Sequence, residues 1–164
     1  MNAVMEAVRL EPPQIATELR ATFARFATGV AVVAYEDDAG THGLTVNSLT
    51  SISLDPPLLL VSIQKNSRSH AALLDRPFTV SVLSADHSDV ARAFASKSRD
   101  GAPEWDRSIG VPLVTDAIGW FHCAPWARHE AGDHTIVLGE VQRCGSRDGS
   151  PLLFYGGQLT ALNG

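Results

Sequence analysis

The segment from Gly43 to Ser69 constrains the fold more than any other part of the chain. It begins Gly-Leu-Thr-Val-Asn-Ser-Leu-Thr-Ser-Ile-Ser-Leu, a stretch of hydroxyl and β-branched residues suited to extended backbone with a polar face. Asp55-Pro56-Pro57 then denies any helix a path through the middle. Residues 58–63 are almost wholly apolar and too few for a buried helix, so they are predicted as a core strand. Lys65-Asn66-Ser67-Arg68-Ser69 reads as a turn opening a short helix over 68–74, capped by Asn66 or Ser67.

Two kinds of chemistry flank that core strand. Thr45, Asn47, Ser48 and Thr50 offer donors and acceptors in extended geometry, which suits the polar edge of a flat heterocycle. Asn47 is notable because asparagine is depleted in strands. Lys65 and Arg68, beside hydroxyls and the N–H groups of a helix start, suit a phosphate. By residue type alone each group has a plainer reading, as an exposed strand face and as a capped helix with solvated charges. Together, a ring site and a phosphate site one strand apart suggest a flavin nucleotide.

The rest of the chain predicts mostly strands. Ile15, Leu19, Phe23 and Phe26 recur at helical spacing, with Pro12-Pro13 to start that helix and Gly29 to end it. Residues 30–35 form a β-branched strand, 37–40 a hairpin turn, 42–49 the return strand, and a short strand precedes Asp55. Residues 78–83 alternate as a half-buried strand, and Val90, Ala93 and Phe94 share a helix face. Residues 99–108, with Gly101, Pro103 and Trp105, form a polar loop. Two long strands, 118–127 and 135–144, are joined across 130–134, and 152–155 is the last strand. Many short strands with turn signals and few helices predict a mainly β fold, a β-barrel.

At 164 residues the chain is read as a single domain over 1–164, with residues 1–12 an N-terminal extension. Its net charge of −5 argues against a nucleic-acid footprint. No run of eighteen apolar residues offers a membrane span, and the first ten residues lack the apolar core of a signal peptide. Cys123 and Cys144 are too few for a disulfide framework, which fits a reducing, cytoplasmic setting. His122, Cys123, His134 and Cys144 match no zinc spacing, so no metal is expected. Trp105, Trp120 and Trp126 are assigned to packing. No Gly-x-Gly-x-x-Gly occurs, so no Rossmann-type dinucleotide site is indicated.

Several short motifs, in order, resemble the short-chain flavin reductases, the small components of two-component flavin monooxygenases. They are Ala27-Thr28-Gly29-Val30, Gly43-Leu44-Thr45-Val46-Asn47-Ser48, Ser53-Leu54-Asp55-Pro56-Pro57, Asn66-Ser67 and Gly132-Asp133-His134. The resemblance runs from about Phe23 to Leu159. It implies a split-barrel FMN-binding fold, a homodimer, FMN or FAD as flavin, NADH or NADPH as hydride donor, and a separate monooxygenase that receives reduced flavin. It places Thr45, Val46, Asn47 and Ser48 along the flavin ring, with Thr28, Thr50, Ser51 and Ser62 nearby. The flavin phosphate falls near Lys65, Asn66, Ser67 and Arg68, although Gln64 stands where relatives more often carry another residue. Gly132, Asp133 and His134 border the nicotinamide face, which makes His134 the candidate catalytic contact. Phe154-Tyr155-Gly156-Gly157 is similar to the family's C-terminal strand, which brings Tyr155 towards the flavin. No basic cluster offers itself to a 2′-phosphate, which favours NADH. The alternative is a non-catalytic flavin- or haem-binding split-barrel protein. A third reading is a structural subunit of a monooxygenase.

Overall fold

The computed structural model describes residues 12–73, 75–96 and 104–162. In chain order its elements are α1 (Pro12–Phe23), β1 (Thr28–Gly29), β2 (Ala31–Asp37), β3 (Gly40–Val46), β4 (Thr50–Leu54), β5 (Pro57–Gln64) and α2 (His70–Leu73). There follow β6 (Phe78–Val82), a 3-10 turn (Ala85–His87), α3 (Ser88–Ala95), β7 (Trp105–Asp106), β8 (Leu113–Val114), β9 (Gly119–Ala131), β10 (His134–Ser146), β11 (Leu152–Tyr155) and β12 (Gln158–Ala161).

Seven strands form one antiparallel sheet in the order β3-β2-β6-β9-β10-β5-β4. The long β9–β10 hairpin changes neighbours part-way along. Residues 119–123 of β9 carry β6, whereas residues 134–140 of β10 carry β5. Register shifts at Leu138/Gly139 and Val141/Arg143 bend the ribbon between these halves. Pro125 stands opposite Gly139 beside the first shift, where a missing ladder donor is tolerated. The sheet thereby curls until β3 approaches β5 without pairing with it, and the architecture is a split β-barrel. A smaller sheet, β1-β11-β12, and the pair β7-β8 lie outside it.

Two apolar cores result. The barrel interior holds Val33, Tyr35, Leu59, Val61, Ile63, Phe78, Val80 and Val137. A second core, with Val30, Val32, Leu83, Ala91, Val114 and Leu152, lies on the other side of β2. β2 is buried on both faces for this reason. Thr79 and Ser81 of β6 are buried too, where the alternation predicts a half-exposed strand. The 112–114 segment covers them: Thr79 Oγ1 donates to the Pro112 carbonyl at 2.6 Å, and Ser81 Oγ accepts from the Val114 N–H at 3.1 Å.

Other boundaries differ from expectation for local reasons. α1 stops at Phe23, short of Gly29, because Thr28 and Gly29 pair with Phe154 and Leu153. β3 stops at Val46 rather than at residue 49, since the chain must turn there to reach β4. α2 spans only four residues, leaving Arg68 and Ser69 in the turn. The β9–β10 turn shrinks to Gly132-Asp133, with Gly132 at φ 63°. β12 follows the expected last strand because Gly156 and Gly157, both at positive φ, make a hairpin. The expected N-terminal extension lies outside the described residues except for Pro12, which opens α1, and so does part of the 99–108 loop. Among the described residues no helix is long and apolar enough to cross a membrane.

Candidate functional site

A cleft of about 480 Å³ opens where β3 and β5 fail to pair. One wall is the backbone and side chains of 43–48, and Ser62 and Gln64 of β5 face it. Asn66, Ser67, Arg68 and Ser69 close one end, and His134 stands at the start of β10 beside Gln64. The C-terminal end of α3, with Ala93, Phe94 and Ser96, completes the cleft.

Ser48 makes the seam. Its Oγ accepts the Ser62 N–H at 2.9 Å and donates to the Ser62 carbonyl at 3.3 Å. One hydroxyl thus does for Ser62 what a paired backbone would do. The Thr45 hydroxyl commits its proton, donating to the Ala91 carbonyl at 2.8 Å and fastening α3 to β3. Gly43 must lack a side chain, because a Cβ there would lie 2.7 Å from Phe94 Cε1. Trp105 tilts against the same Phe94 ring, with centroids 5.2 Å apart, and supports it from behind. The aromatic wall of the cleft therefore rests directly on bare backbone.

Of the residues expected to hold the flavin or nicotinamide, Thr45, Val46, Asn47, Ser48, Ser62, Asn66, Ser67, Arg68 and His134 line this cleft. Thr28, Thr50, Ser51, Lys65, Gly132, Asp133 and Tyr155 do not. Thr28 lies in the small sheet, and its Oγ1 is buried with no partner among the described residues. Thr50 and Ser51 lie on β4, the outer edge strand. Tyr155 ends β11 beside the hairpin to β12.

Lys65 is turned away from the cleft by two acceptors. Its Nζ lies 2.5 Å from Glu130 Oε2 and 2.8 Å from the Gly132 carbonyl. The hydrogen bond from Lys65 is the main cause holding the Glu130 carboxyl below the usual carboxylate range. The Lys65 N–H donates to the Asp133 carbonyl at 2.9 Å. Asp133 Oδ1 meets His134 Nδ1 at 2.8 Å, and that bond, then the imidazole's charge, lowers the Asp133 carboxyl in turn.

The helix start expected to bind phosphate is too short for a useful dipole. What the turn does bring together is one guanidinium, two hydroxyls and an amide, from Arg68, Ser67, Ser69 and Asn66. Residue-type reasoning missed Phe94, Ala93 and Ser96 as cleft residues. Their helical spacing was readable, but nothing in it says which strand the helix covers. Gly43 carried the one available signal, a glycine at the start of the polar strand with no turn to account for it.

Comparison with known proteins follows the same lines. The flavin reductase like domain matches residues 23–163. An NADH-dependent FMN reductase of Agrobacterium fabrum is 44% identical over 135 residues, covering 80% of this chain and 78% of that protein. An NADH-dependent flavin reductase of a Rhodococcus species is 37% identical, with coverage of 93% and 90%. Among solved structures, the NADH:FAD oxidoreductase of Streptomyces globisporus in complex with NAD and FAD fragments superposes with a TM-score of 0.82 at 37% identity, covering 93% of this chain and 95% of that one. The flavin reductase component of a bacterial two-component tryptophan halogenase gives the same TM-score at 39% identity, covering 90% and 98%.

Proposed function

Because this chain belongs to the flavin reductase like domain family, we propose that it is an NADH-dependent flavin reductase that hands reduced flavin to a separate monooxygenase. The observation that carries the reading is the cleft at the open seam. Its volume suits a ligand of nucleotide size. It combines a strand wall rich in polar groups, an apolar aromatic wall and a cationic end. Relatives named as reductase components, such as that of a trigonelline monooxygenase in Acinetobacter baylyi, support the hand-over to a partner enzyme.

A flavin and NADH supply the hydride acceptor and donor, and the work of the protein is alignment. In this reading the 44–48 wall and Ser62 meet the polar ring edge, chiefly through backbone groups and Asn47. Thr45 and Ser48 act by shaping that wall, since their hydroxyl protons are already donated within the fold. Arg68, with Ser67, Ser69 and Asn66, receives the phosphate. Leu44, Val46 and Phe94 offer apolar surface to the ring faces. His134, held by Asp133, borders the nicotinamide side.

The reading extends to assembly and setting. Ile15, Leu19, Phe23 and Phe26 form an exposed apolar stripe, with Phe26 71% exposed. Leu54, on the unpaired edge of β4, is 91% exposed. A twofold copy would cover such surfaces, so the chain is read as a homodimer. Flavin contacts from Thr28, Thr50, Ser51 or Tyr155, which lie off the cleft, require that second copy. Two free thiols suit a reducing cytoplasm.

The test is direct. Purified protein is mixed with FMN or FAD and NADH, and loss of nicotinamide absorbance is followed. Oxidation far faster than with free flavin is expected. No acceleration with either flavin would leave the non-catalytic binding protein as the reading.

A further inference from the structure

We propose that Lys65 is a positioning residue: with Glu130 it clamps the Gly132-Asp133-His134 tip onto the turn after β5, and it is not the flavin-phosphate ligand.

Three bonds make the clamp. The Lys65 backbone N–H reaches the Asp133 carbonyl at 2.9 Å. Its ammonium reaches the Gly132 carbonyl at 2.8 Å and the Glu130 carboxylate at 2.5 Å. A backbone bond and a side-chain bond from one residue to consecutive carbonyls fix both the position and the tilt of a two-residue turn.

The clamp continues through one buried hydroxyl. Glu130 Oε1 accepts from Thr135 Oγ1 at 3.3 Å, and Thr135 is fully buried. His70 Nε2 meets the same Oγ1 at 2.8 Å. His70 opens α2 and donates its N–H to the Ser67 carbonyl at 3.1 Å. A closed circuit therefore runs from Lys65 through Glu130, Thr135 and His70 to Ser67. One side of it carries the turn at the cationic end of the cleft, and the other carries His134.

The charges argue the same way. Glu130 and the Gly132 carbonyl already engage two of the three donors of the Lys65 ammonium and hold it away from the cleft. Arg68 lines the cleft itself, whereas Lys65 does not. The consequence is a rigid spacing between the phosphate end and the nicotinamide end of one site. Errors in alignment cost rate more than they cost affinity.

The experiment compares Lys65→Met, Glu130→Gln, the double variant, Lys65→Arg and Arg68→Met, each as full-length protein. FMN and riboflavin are titrated against each, and the rate of flavin reduction is followed in stopped flow as NADH is varied. The kinetic arm rests on the reductase reading. Amide exchange at Lys65 and His134 and the two flavin titrations do not, so failure of either idea can be told apart. Lys65→Met and Glu130→Gln are expected to slow reduction or raise the NADH requirement by roughly ten- to a hundredfold. The double variant should be no worse than either single one, and Lys65→Arg should recover much of the loss. Amide exchange at the tip should quicken in both single variants, while the ratio of FMN to riboflavin affinity stays as in the parent. Only Arg68→Met should collapse that ratio. Selective loss of FMN affinity in Lys65→Met overturns the proposal, and so does parental amide exchange at the tip.

Discussion

At the scale of single residues, one hydroxyl, one glycine and two carboxylates decide how the site and the barrel beside it hold together. Ser48 gives both its donor and its acceptor capacity to Ser62. Ser48→Ala should therefore leave a half-buried N–H without its partner and cost about 1–3 kcal/mol, measured as a shift in urea midpoint. Gly139 is constrained from the other side, because a Cβ there would fall 2.5 Å from Phe78 Cζ in the barrel core. Phe78 is fully buried and has nowhere to go, so Gly139→Ala should cost about 1–3 kcal/mol by overpacking. The Asp133–His134 bond makes a prediction in pH. The folded Asp133 carboxyl is depressed, so the bond's contribution is complete above the ordinary carboxylate pKa of about 3.9 and is lost as pH falls through the lower folded value. Glu130 behaves in the same sense through Lys65. Asp133→Asn should then differ from the parent in urea midpoint at neutral pH, and the difference should vanish in acid. A difference that persists at low pH would mean that the side chain matters for another reason.

At the scale of elements, α3 is the part that residue patterns named but did not locate. It forms one wall of the cleft only because Thr45 ties Ala91 to β3 and because Gly43 lets Phe94 lie flat on the strand. Thr45→Val keeps the shape and removes the tie. It should speed amide exchange in α3 and weaken riboflavin and FMN equally, as read by titration. The strands themselves were legible. Residues 58–63 announced a core strand, and the chain indeed buries Leu59, Val61 and Ile63 there. The Asp-Pro-Pro break marked the turn before it, and Gly132-Asp133 marked the hairpin. Illegible features were those set by distant partners. The sequence around Thr79 and Ser81 alternates as a half-exposed strand would, and only the arrival of 112–114 buries both faces. Lys65 shows the same limit at the site. Its place in a Lys-Asn-Ser-Arg-Ser turn suggests a phosphate, yet Glu130 and Gly132, supplied by a hairpin far along the chain, take up the ammonium.

At the scale of the whole molecule, the exposed α1 stripe and the β4 edge make assembly testable. Light scattering should give twice the chain mass of 17.5 kDa. Replacing Phe23 and Phe26 together by serine should give monomers without loss of the barrel's circular-dichroism spectrum. A parent protein that is monomeric at micromolar concentration would refute the homodimer. The open seam has a consequence of its own. Among the described residues no strand pairs between β3 and residues 61–64 of β5, and Ser48 stitches across to Ser62 there. On the proposed reading, a flat ring lying there would serve as a removable stave, each arrival completing the cask and each departure reopening it. The line along which this fold is least finished would then also be the line along which its cargo is exchanged, and a variant that zipped the seam shut would gain rigidity by becoming an empty vessel that nothing can fill.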